Sequence, residues 1–241
     1  ESGIDSILVG DSLGNVILGL GDTVSVTMED MIHHGAAVAR GAKNALVVVD
    51  MPFMSYQSSV YDAVVNAGRL MKEARANAVK LEGGVEVADR IRAIVDCQIP
   101  VCAHIGLTPQ GINALGGFKV QGKTADSARK LLEDAHAVEE AGAFAVVLEA
   151  IPAELAARVS AELTIPTIGI GAGAGCDGQV LVNQDMLGMF HDFTPKFVRR
   201  FAEVGDVMLD AYRAYDAAVK DGTFPAAEHT YAAPAGVLET L

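Results

Sequence analysis

The sequence predicts an α/β protein in which parallel strands and helices alternate and close into a (β/α)8 TIM barrel. Short apolar runs recur along the chain with helical patterns between them, which is the order of elements in a parallel sheet with crossover helices. The 241 residues also agree with a single barrel, since barrels of roughly 200–250 residues form one domain. Seven strands are predicted, so we expect the first strand–helix unit to be absent from this chain.

The predicted strands are apolar on consecutive residues, as expected for strands that are buried on both faces. Each run is closed by a glycine or a polar residue, so the strand ends follow from the sequence. The strands are predicted at Ile4–Gly10, Ala45–Val49, Ala78–Leu81, Pro100–Ile105, Ala143–Leu148, Thr167–Ile170 and the shorter Val180–Val182.

Four helices have recognisable start or stop signals. Thr27 and Asp30 have the spacing of a capping box, and the helix that they open is expected to end near Gly41. The other three are predicted at Ala128–Ala141 before Gly142, at Ala153–Leu163 after Pro152, and from Thr194-Pro195 to about Lys220.

The chain has no linker and no change of composition, so we expect one barrel domain over residues 1–241. Its longest irregular stretch is Gly106–Thr124, and residues 224–241 are expected to form a C-terminal tail. Glu1–Gly3 resemble the last turn of a helix that stops at glycine. The predicted barrel is therefore expected to be incomplete at its N-terminal side.

The charge and cysteine content exclude several classes of function. The chain has 18 Lys and Arg against 31 Asp and Glu, a formal charge of −13, which disfavours binding to nucleic acid or to an anionic membrane. Cys97, Cys102 and Cys176 are scattered and odd in number, which is typical of buried thiols in a reducing compartment. Because no run of about 18 apolar residues is present, no membrane span is predicted, and we expect a cytoplasmic protein.

Polar residues stand at or near the ends of five predicted strands. In a parallel barrel these carboxyl ends meet at one face, where barrel enzymes have their active sites. Singly, each residue has a structural explanation, such as a helix cap, a solvated lysine or a core histidine. Together they predict an active site formed by Asp11, Ser12, Asp50, Lys80, Glu82, His104 and Glu149.

The residue types indicate a metal-assisted reaction at carbon. Asp11, Asp50 and Glu82 offer the oxygen ligands that Mg²⁺ prefers, and such an ion polarises a carbonyl and stabilises an enolate. Glu149 is then available to take a proton from carbon, while Lys80 and Ser12 supply donors for a substrate carboxylate or for developing charge. The residues alone therefore predict chemistry on a small oxo acid.

A glycine-rich segment offers a different hypothesis. Gly169–Ala174 matches the G-x-G-x-x-A dinucleotide pattern after a strand, so a non-catalytic nucleotide-binding module is an alternative. That pattern usually opens a doubly wound domain, whereas here it comes late in the chain. We interpret it as a tight loop whose backbone approaches a ligand or a neighbouring strand.

Several segments along the chain carry a resemblance to a known family. They are Leu8–Gly14, Val49–Phe53, Val79–Gly84, His104–Gln110, Gly116–Gly122, Leu148–Glu149, Ile168–Gly173, Asp177–Gln179, Phe224–Pro225 and Glu228–His229. By these segments the sequence closely resembles the ketopantoate hydroxymethyltransferase family. The resemblance extends from Ile4 to about His229, with His229-Thr-Tyr where the family usually has His-Ser-Phe.

This resemblance implies a barrel of the phosphoenolpyruvate mutase/isocitrate lyase type, Mg²⁺, and 5,10-methylenetetrahydrofolate as the one-carbon donor. The implied reaction transfers a hydroxymethyl group to 3-methyl-2-oxobutanoate through a Mg-stabilised enolate, giving ketopantoate in pantothenate biosynthesis. The implied metal ligands are Asp11, Asp50 and Glu82, the substrate-binding residues are Asp11, Ser12, Asp50, Lys80 and His104, and the catalytic proton acceptor is Glu149. A homo-oligomer, by resemblance a homodecamer, is expected, and another Mg-dependent enzyme acting on 2-oxo-acid C–C bonds is the alternative.

Overall fold

The computed structural model describes residues 2–190 and 193–241. These residues form two compact units, one that ends at Val182 and one that covers Asn183–Leu241. Glu1, part of the expected helix end, lies outside the described residues. The prediction of a single barrel domain with a separate tail stays a prediction.

The first unit contains a seven-stranded parallel sheet in which each strand pairs with the next one along the chain. This arrangement confirms the predicted α/β class, in which crossover helices connect parallel neighbours. The strands are β1 Ser6–Val9, β2 Leu46–Asp50, β3 Ala78–Glu82, β4 Val101–Gly106, β5 Ala145–Glu149, β6 Thr167–Ile170 and β7 Gly178–Gln179.

Helices lie between the first six strands of this sheet along the chain. The capping box at the start of the second helix is confirmed, because the Asp30 N–H donates to Thr27 Oγ1 at 3.1 Å and the Thr27 N–H donates to Asp30 Oδ2 at 2.9 Å. The helices of this unit are α1 Leu13–Val16, α2 Met28–Gly41, α3 Val60–Lys72, α4 Ala88–Asp96, α5 Ile112–Leu115, α6 Ala125–Glu140 and α7 Ala153–Glu162, with 3-10 turns at Val85–Val87 and Pro109–Gly111.

Side chains alternate along each strand between an outer apolar face and an inner face of the sheet. In β2, Val47 and Val49 belong to the large core that the helices cover, whereas Val48 belongs to a smaller inner cluster with Cys102 and Val147. Because side chains alternate with a period of two, the inner face of β2 continues to Asp50. The same rule puts the polar ends of the following strands on this inner face.

The seventh strand differs from its prediction. It covers Gly178–Gln179 and pairs with Ile168 and Gly169, so the prediction of a strand at Val180–Val182 is wrong. The neighbouring β6 ends at Ile170, and Gly171 turns away with a φ of 63°. Residues after Val180 therefore have no extended partner on that side.

The second unit begins with α8 Asn183–Met186 and contains the long helix α9 Val204–Asp221. The helix predicted to open at Thr194-Pro195 is wrong at its start, although its end near Lys220 is confirmed. The Phe201 N–H donates to the Met186 carbonyl oxygen at 2.8 Å, so it is not available for a helical hydrogen bond. Two 3-10 turns, Ala227–His229 and Leu238–Thr240, follow in the tail. Across the described parts of the chain, no helix is long and apolar enough to cross a membrane.

Candidate active site

The ends of β1 and β2 are joined by two aspartates. The main-chain N–H of Asp11, just after β1, donates to Asp50 Oδ2 at 3.0 Å. Asp11 is 4% exposed and Asp50 is 2% exposed. Two acidic side chains predicted from separate strands are therefore adjacent and buried.

Lys80 supplies the positive charge of this group. It lies directly opposite Asp50 in the parallel register of β2 and β3, and its Nζ is 2.8 Å from Asp50 Oδ1. Burial by itself would lower the pKa of the Lys80 ammonium, but the carboxylates of Asp50, Glu82 and Asp11 together raise it above its usual value. Lys80 therefore stays charged inside the sheet.

His104 connects the lysine to the predicted base. Its Nδ1 is 3.2 Å from Lys80 Nζ and 3.5 Å from Glu82 Oε1, and its Nε2 is 3.2 Å from Glu149 Oε2. Burial, followed by the charge of Lys80, lowers the pKa of the imidazole, so His104 is neutral near pH 7. Because an ammonium only donates, we assign Nδ1 as the acceptor and place the ring proton on Nε2, towards Glu149.

Three buried polar atoms of the site lack an aligned hydrogen bond: Asp50 Oδ1, Glu82 Oε1 and His104 Nε2. The first is paired with the Lys80 ammonium at 2.8 Å, and the last is 3.2 Å from Glu149 Oε2. Glu82 Oε1 is 3.5 Å from His104 Nδ1, which we assign as an acceptor. A buried polar atom without a partner costs about 1–3 kcal/mol, so this oxygen indicates a site that is completed by a ligand.

Electrostatics suggest which ligand fits. Burial and then the negative charge of Asp50 raise the pKa of Asp11 to about 7, and burial raises the pKa of Glu82 well above its usual value. The carboxylates therefore exceed the positive charge available to them, and a divalent cation would offset the excess. The oxygen-only donors of Asp11 and Asp50 fit Mg²⁺, which commonly takes one or two carboxylates and completes its shell with water and substrate.

Glu82, the third carboxylate, has different hydrogen-bond partners from the two aspartates. Glu82 Oε2 accepts a hydrogen bond from the Gln110 main-chain N–H at 3.0 Å. Within residues 2–190 and 193–241, no group of three or more His, Cys, Asp or Glu has an arrangement that would hold a metal by itself. The three-carboxylate metal set of Asp11, Asp50 and Glu82 thus stays a prediction.

Ser12 is the N-cap residue of α1. Its side chain makes no capping hydrogen bond to that helix. A methyl group added at Gly10 would lie 3.2 Å from Ser12 Oγ and 3.4 Å from Asp50 Oδ2. Because Gly10 has no side chain, the space between the Ser12 hydroxyl and the Asp50 carboxylate is not filled by a methyl group.

Glu149 differs from the other acids in its exposure. It ends β5, and its side chain is 15% exposed, whereas those of Asp50 and Glu82 are each 3% exposed. The chain turns sharply after it, since Ala150 has a φ of 48°, a conformation that a non-glycine residue adopts at a cost. The turn ends β5 directly after Glu149, whose carboxylate lies beside His104 and is partly exposed.

Two residues of the site were not predicted from the sequence. Gln110 is buried, and its Nε2 donates to Asp11 Oδ2 at 2.8 Å and to the Met51 carbonyl oxygen at 2.9 Å. Tyr56 is fully buried, and its hydroxyl donates to Gln110 Oε1 at 2.7 Å. Gln110 closes one of the segments that carry the family resemblance, which was the available signal, while Tyr56 lies in a loop without any periodic pattern.

Two cavities border this site. One, of about 70 Å³, lies inside the sheet and is lined by Lys80, Cys102 and apolar strand residues. The other, of about 210 Å³, is bordered by Phe53, Glu82 and Gln110. A small molecule therefore has room to approach the site beside Glu82.

The glycine-rich segment packs against the protein itself. Added methyl groups would lie 2.9 Å from Gln179 Nε2 at Gly169 and 2.5 Å from Ala153 Cβ at Gly173. The strand β6 continues into an irregular segment and then β7 rather than into a helix, so a dinucleotide would not find the usual helix N-terminus. The interpretation of a tight loop near a neighbouring strand agrees with this packing.

Comparison with known proteins gives a consistent result. A family model described as ketopantoate hydroxymethyltransferase matches residues 1–227. The 3-methyl-2-oxobutanoate hydroxymethyltransferase of Clostridium novyi is 67% identical over 241 residues, which are 100% of this chain and 88% of that protein. The enzyme of the same name from Enterococcus faecalis is 66% identical over the same length and the same shares.

Solved structures resemble the chain in fold. Phosphonopyruvate hydrolase superposes with a TM-score of 0.59 at 13% identity, covering 99% of this chain and 83% of that one. A putative lyase/mutase from Burkholderia cenocepacia gives a TM-score of 0.52 at 17% identity, covering 98% and 81%. At these identities the likeness concerns the fold alone, and it confirms the predicted barrel class.

Proposed function

The chain belongs to the ketopantoate hydroxymethyltransferase family, and on this premise we propose that it transfers a hydroxymethyl group from 5,10-methylenetetrahydrofolate to 3-methyl-2-oxobutanoate with Mg²⁺ bound. The observation that carries the proposal is a buried acidic group around one lysine, next to the more exposed carboxylate of Glu149. A cation site and a separate base are what proton removal beside a keto group requires.

The overall reaction forms a C–C bond at C3 of the oxo acid and breaks the bonds from the folate methylene carbon to nitrogen. Water supplies the hydroxyl oxygen. The two folate nitrogens regain protons, one from C3 and one from water. The product is ketopantoate, and tetrahydrofolate is released.

Each side chain has a defined role in this proposal. Asp11 and Asp50 hold Mg²⁺, with Glu82 as the third nearby carboxylate. When bound, the ion supplies a Lewis acid that withdraws electron density from the keto oxygen. Glu149 accepts the C3 proton, because its carboxylate is the one open to substrate.

The remaining groups position the substrate and the base. Lys80 and the hydroxyl of Ser12 donate to the oxo acid, where a fixed ammonium in a buried site stabilises negative charge strongly. Neutral His104 directs its Nε2 proton towards Glu149, which keeps the base in place without neutralising its charge.

The test is a product assay with the purified protein. With Mg²⁺, 3-methyl-2-oxobutanoate and methylenetetrahydrofolate, we expect ketopantoate in the NMR spectrum and an equal amount of tetrahydrofolate. Leaving out any one component should prevent product formation. Cleavage of phosphonopyruvate, with no turnover of 3-methyl-2-oxobutanoate, would favour the alternative oxo-acid chemistry and refute the proposal.

We also propose that the chain self-associates and works in the cytoplasm. In α9, Met208, Tyr212, Tyr215 and Val219 recur at helical spacing and are exposed, forming an apolar stripe of the kind that marks interfaces. Light scattering should give a mass several times 25.1 kDa, and a monomer at micromolar concentration would contradict self-association.

The proposed location in the cytoplasm is supported by the cysteines. All three are free thiols, as in a reducing compartment.

A further inference from the structure

We propose that Gln110 is a positioning residue that holds Asp11 and Glu82 in the orientation needed for metal binding, and that Tyr56 acts through it. This inference rests on the metal-dependent function proposed above. It concerns a glutamine and a tyrosine that touch the site from the loops after β4 and β2.

Every hydrogen-bonding position of the Gln110 side chain is used. Its Nε2 donates to Asp11 Oδ2 at 2.8 Å and to the Met51 carbonyl oxygen at 2.9 Å. Its Oε1 accepts from the Tyr56 hydroxyl at 2.7 Å and from Gln57 Nε2 at 3.1 Å. A buried amide with two donors and two acceptor positions occupied has one stable orientation.

The main chain of the same residue orients the second acid. The Gln110 N–H donates to Glu82 Oε2 at 3.0 Å. The other oxygen, Glu82 Oε1, is buried without an aligned hydrogen bond. By binding one oxygen of this carboxylate, Gln110 determines which oxygen is left to face the site.

The amide cannot be reversed without loss. A flip would bring Oε1 against Asp11 Oδ2 and the Met51 carbonyl oxygen, and so would place three acceptors together. It would also turn the amide protons towards Gln57 Nε2, which is itself a donor. The carboxylate of Asp11 therefore meets a donor in one orientation only.

Tyr56 selects that orientation. Its hydroxyl accepts from the Glu82 main-chain N–H at 3.0 Å. Its single proton is directed to Gln110 Oε1 at 2.7 Å, a shorter contact than the 3.1 Å to the Glu82 carbonyl oxygen. Because Tyr56 is fully buried, water does not compete for the hydrogen bonds of its hydroxyl. The hydroxyl therefore links the end of β3 to Gln110.

These contacts connect the carboxyl ends of four consecutive strands. Asp11 follows β1, Tyr56 follows β2, Glu82 ends β3, and Gln110 follows β4. Residues that orient metal ligands by hydrogen bonds typically change metal affinity about 10- to 100-fold when replaced. We expect Gln110 to fall in that range, since Met in its place keeps the volume and removes all four side-chain hydrogen bonds.

The test measures Mn²⁺ binding by electron paramagnetic resonance, in the absence of substrate. Gln110→Met should weaken Mn²⁺ binding about 10- to 100-fold, and Tyr56→Phe should weaken it less. Gln98→Met is the matched control, because Gln98 is exposed at the turn between α4 and β4, at the opposite end of the strands. Circular dichroism without metal checks that each variant is folded.

The double variant tests whether Tyr56 acts through Gln110. If it does, Gln110→Met with Tyr56→Phe should bind Mn²⁺ as weakly as Gln110→Met alone, whereas additive losses would show that Tyr56 acts independently and overturn that part. If Gln110→Met does not fold, Tyr56→Phe decides, and binding equal to that of the parent would refute the inference. Failure of the parent itself to bind Mn²⁺ would instead refute the proposed function.

Discussion

Replacing Glu149 by glutamine tests the assignment of the base most directly. The change keeps the size of the side chain and one oxygen that can face His104, 3.2 Å from Glu149 Oε2. It removes the ability to accept a proton from C3. Because Glu149 is partly exposed and outside the Lys80–Asp50 ion pair, we expect the unfolding free energy to change by less than about 1 kcal/mol.

The expected effect on proton transfer is large. Removal of a general base typically slows the reaction about 10²- to 10⁴-fold, which is about 2.7–5.4 kcal/mol at about 1.36 kcal/mol for each factor of ten. No nearby acid replaces Glu149 easily, since Asp11, Asp50 and Glu82 are buried and their charges are shared with Lys80.

The assay isolates this step from transfer of the one-carbon group. With Mg²⁺ and 3-methyl-2-oxobutanoate in D₂O, and without folate, the loss of the C3 proton signal reports proton removal alone. Glu154→Gln is the control, because Glu154 is an exposed acid in the first turn of α7 and its replacement changes the charge equally. If Glu149→Gln exchanged the proton at the parent rate, Glu149 would be structural and His104 would become the next candidate base.

Three further results are expected. Mg²⁺ at about 100 times its dissociation constant should raise the unfolding free energy by about 2.7 kcal/mol, and an unchanged melting temperature at that concentration would contradict a site in the folded protein. Asp50→Asn should abolish this stabilisation by Mg²⁺. It should also lower the unfolding free energy, measured by denaturant titration, by about 3–5 kcal/mol, because buried Lys80 loses its closest charged partner. Stability equal to that of the parent would show that the ion pair is unimportant. Gly10→Ala should raise the KM for the oxo acid, because its methyl group fills the space 3.2 Å from Ser12 Oγ, with melting as in the parent; an unchanged KM would place the substrate elsewhere.

The inner face of the site could be predicted from the sequence because two simple rules act together. Side chains alternate along a strand, so Lys80 and Glu82 share a face, and parallel strands bring their carboxyl ends to one edge. Both rules depend on residues within strands. Gln110 and Tyr56 lie in irregular loops, where no period relates a residue to a face, so their contacts with Asp11 and Glu82 required the structure.

The start of α9 was missed for a related reason. Thr194 and Pro195 form a good local start signal, but the Thr194 hydroxyl accepts a hydrogen bond from Arg200 Nη2 at 2.8 Å instead of capping a helix. Backbone donors further along bind the segment after α8, since the Val204 N–H donates to the Leu187 carbonyl oxygen at 2.8 Å. These are tertiary contacts, and a local pattern carries no information about them.

The charge balance of the site supports the division of roles that we propose, with one acid for proton transfer and the others for a metal. In the part of the chain that the structure describes, the buried charged side chains are Asp11, Asp50, Lys80 and Glu82, so full ionisation leaves two negative charges unbalanced. The fold can tolerate this excess by protonation, as the raised pKa of Asp11 and of Glu82 indicates, or by binding one divalent cation, which restores neutrality. Glu149 lies outside this buried group and keeps access to solvent, so its carboxylate is not needed to balance the cation, and for this reason we propose it as the acceptor of the C3 proton.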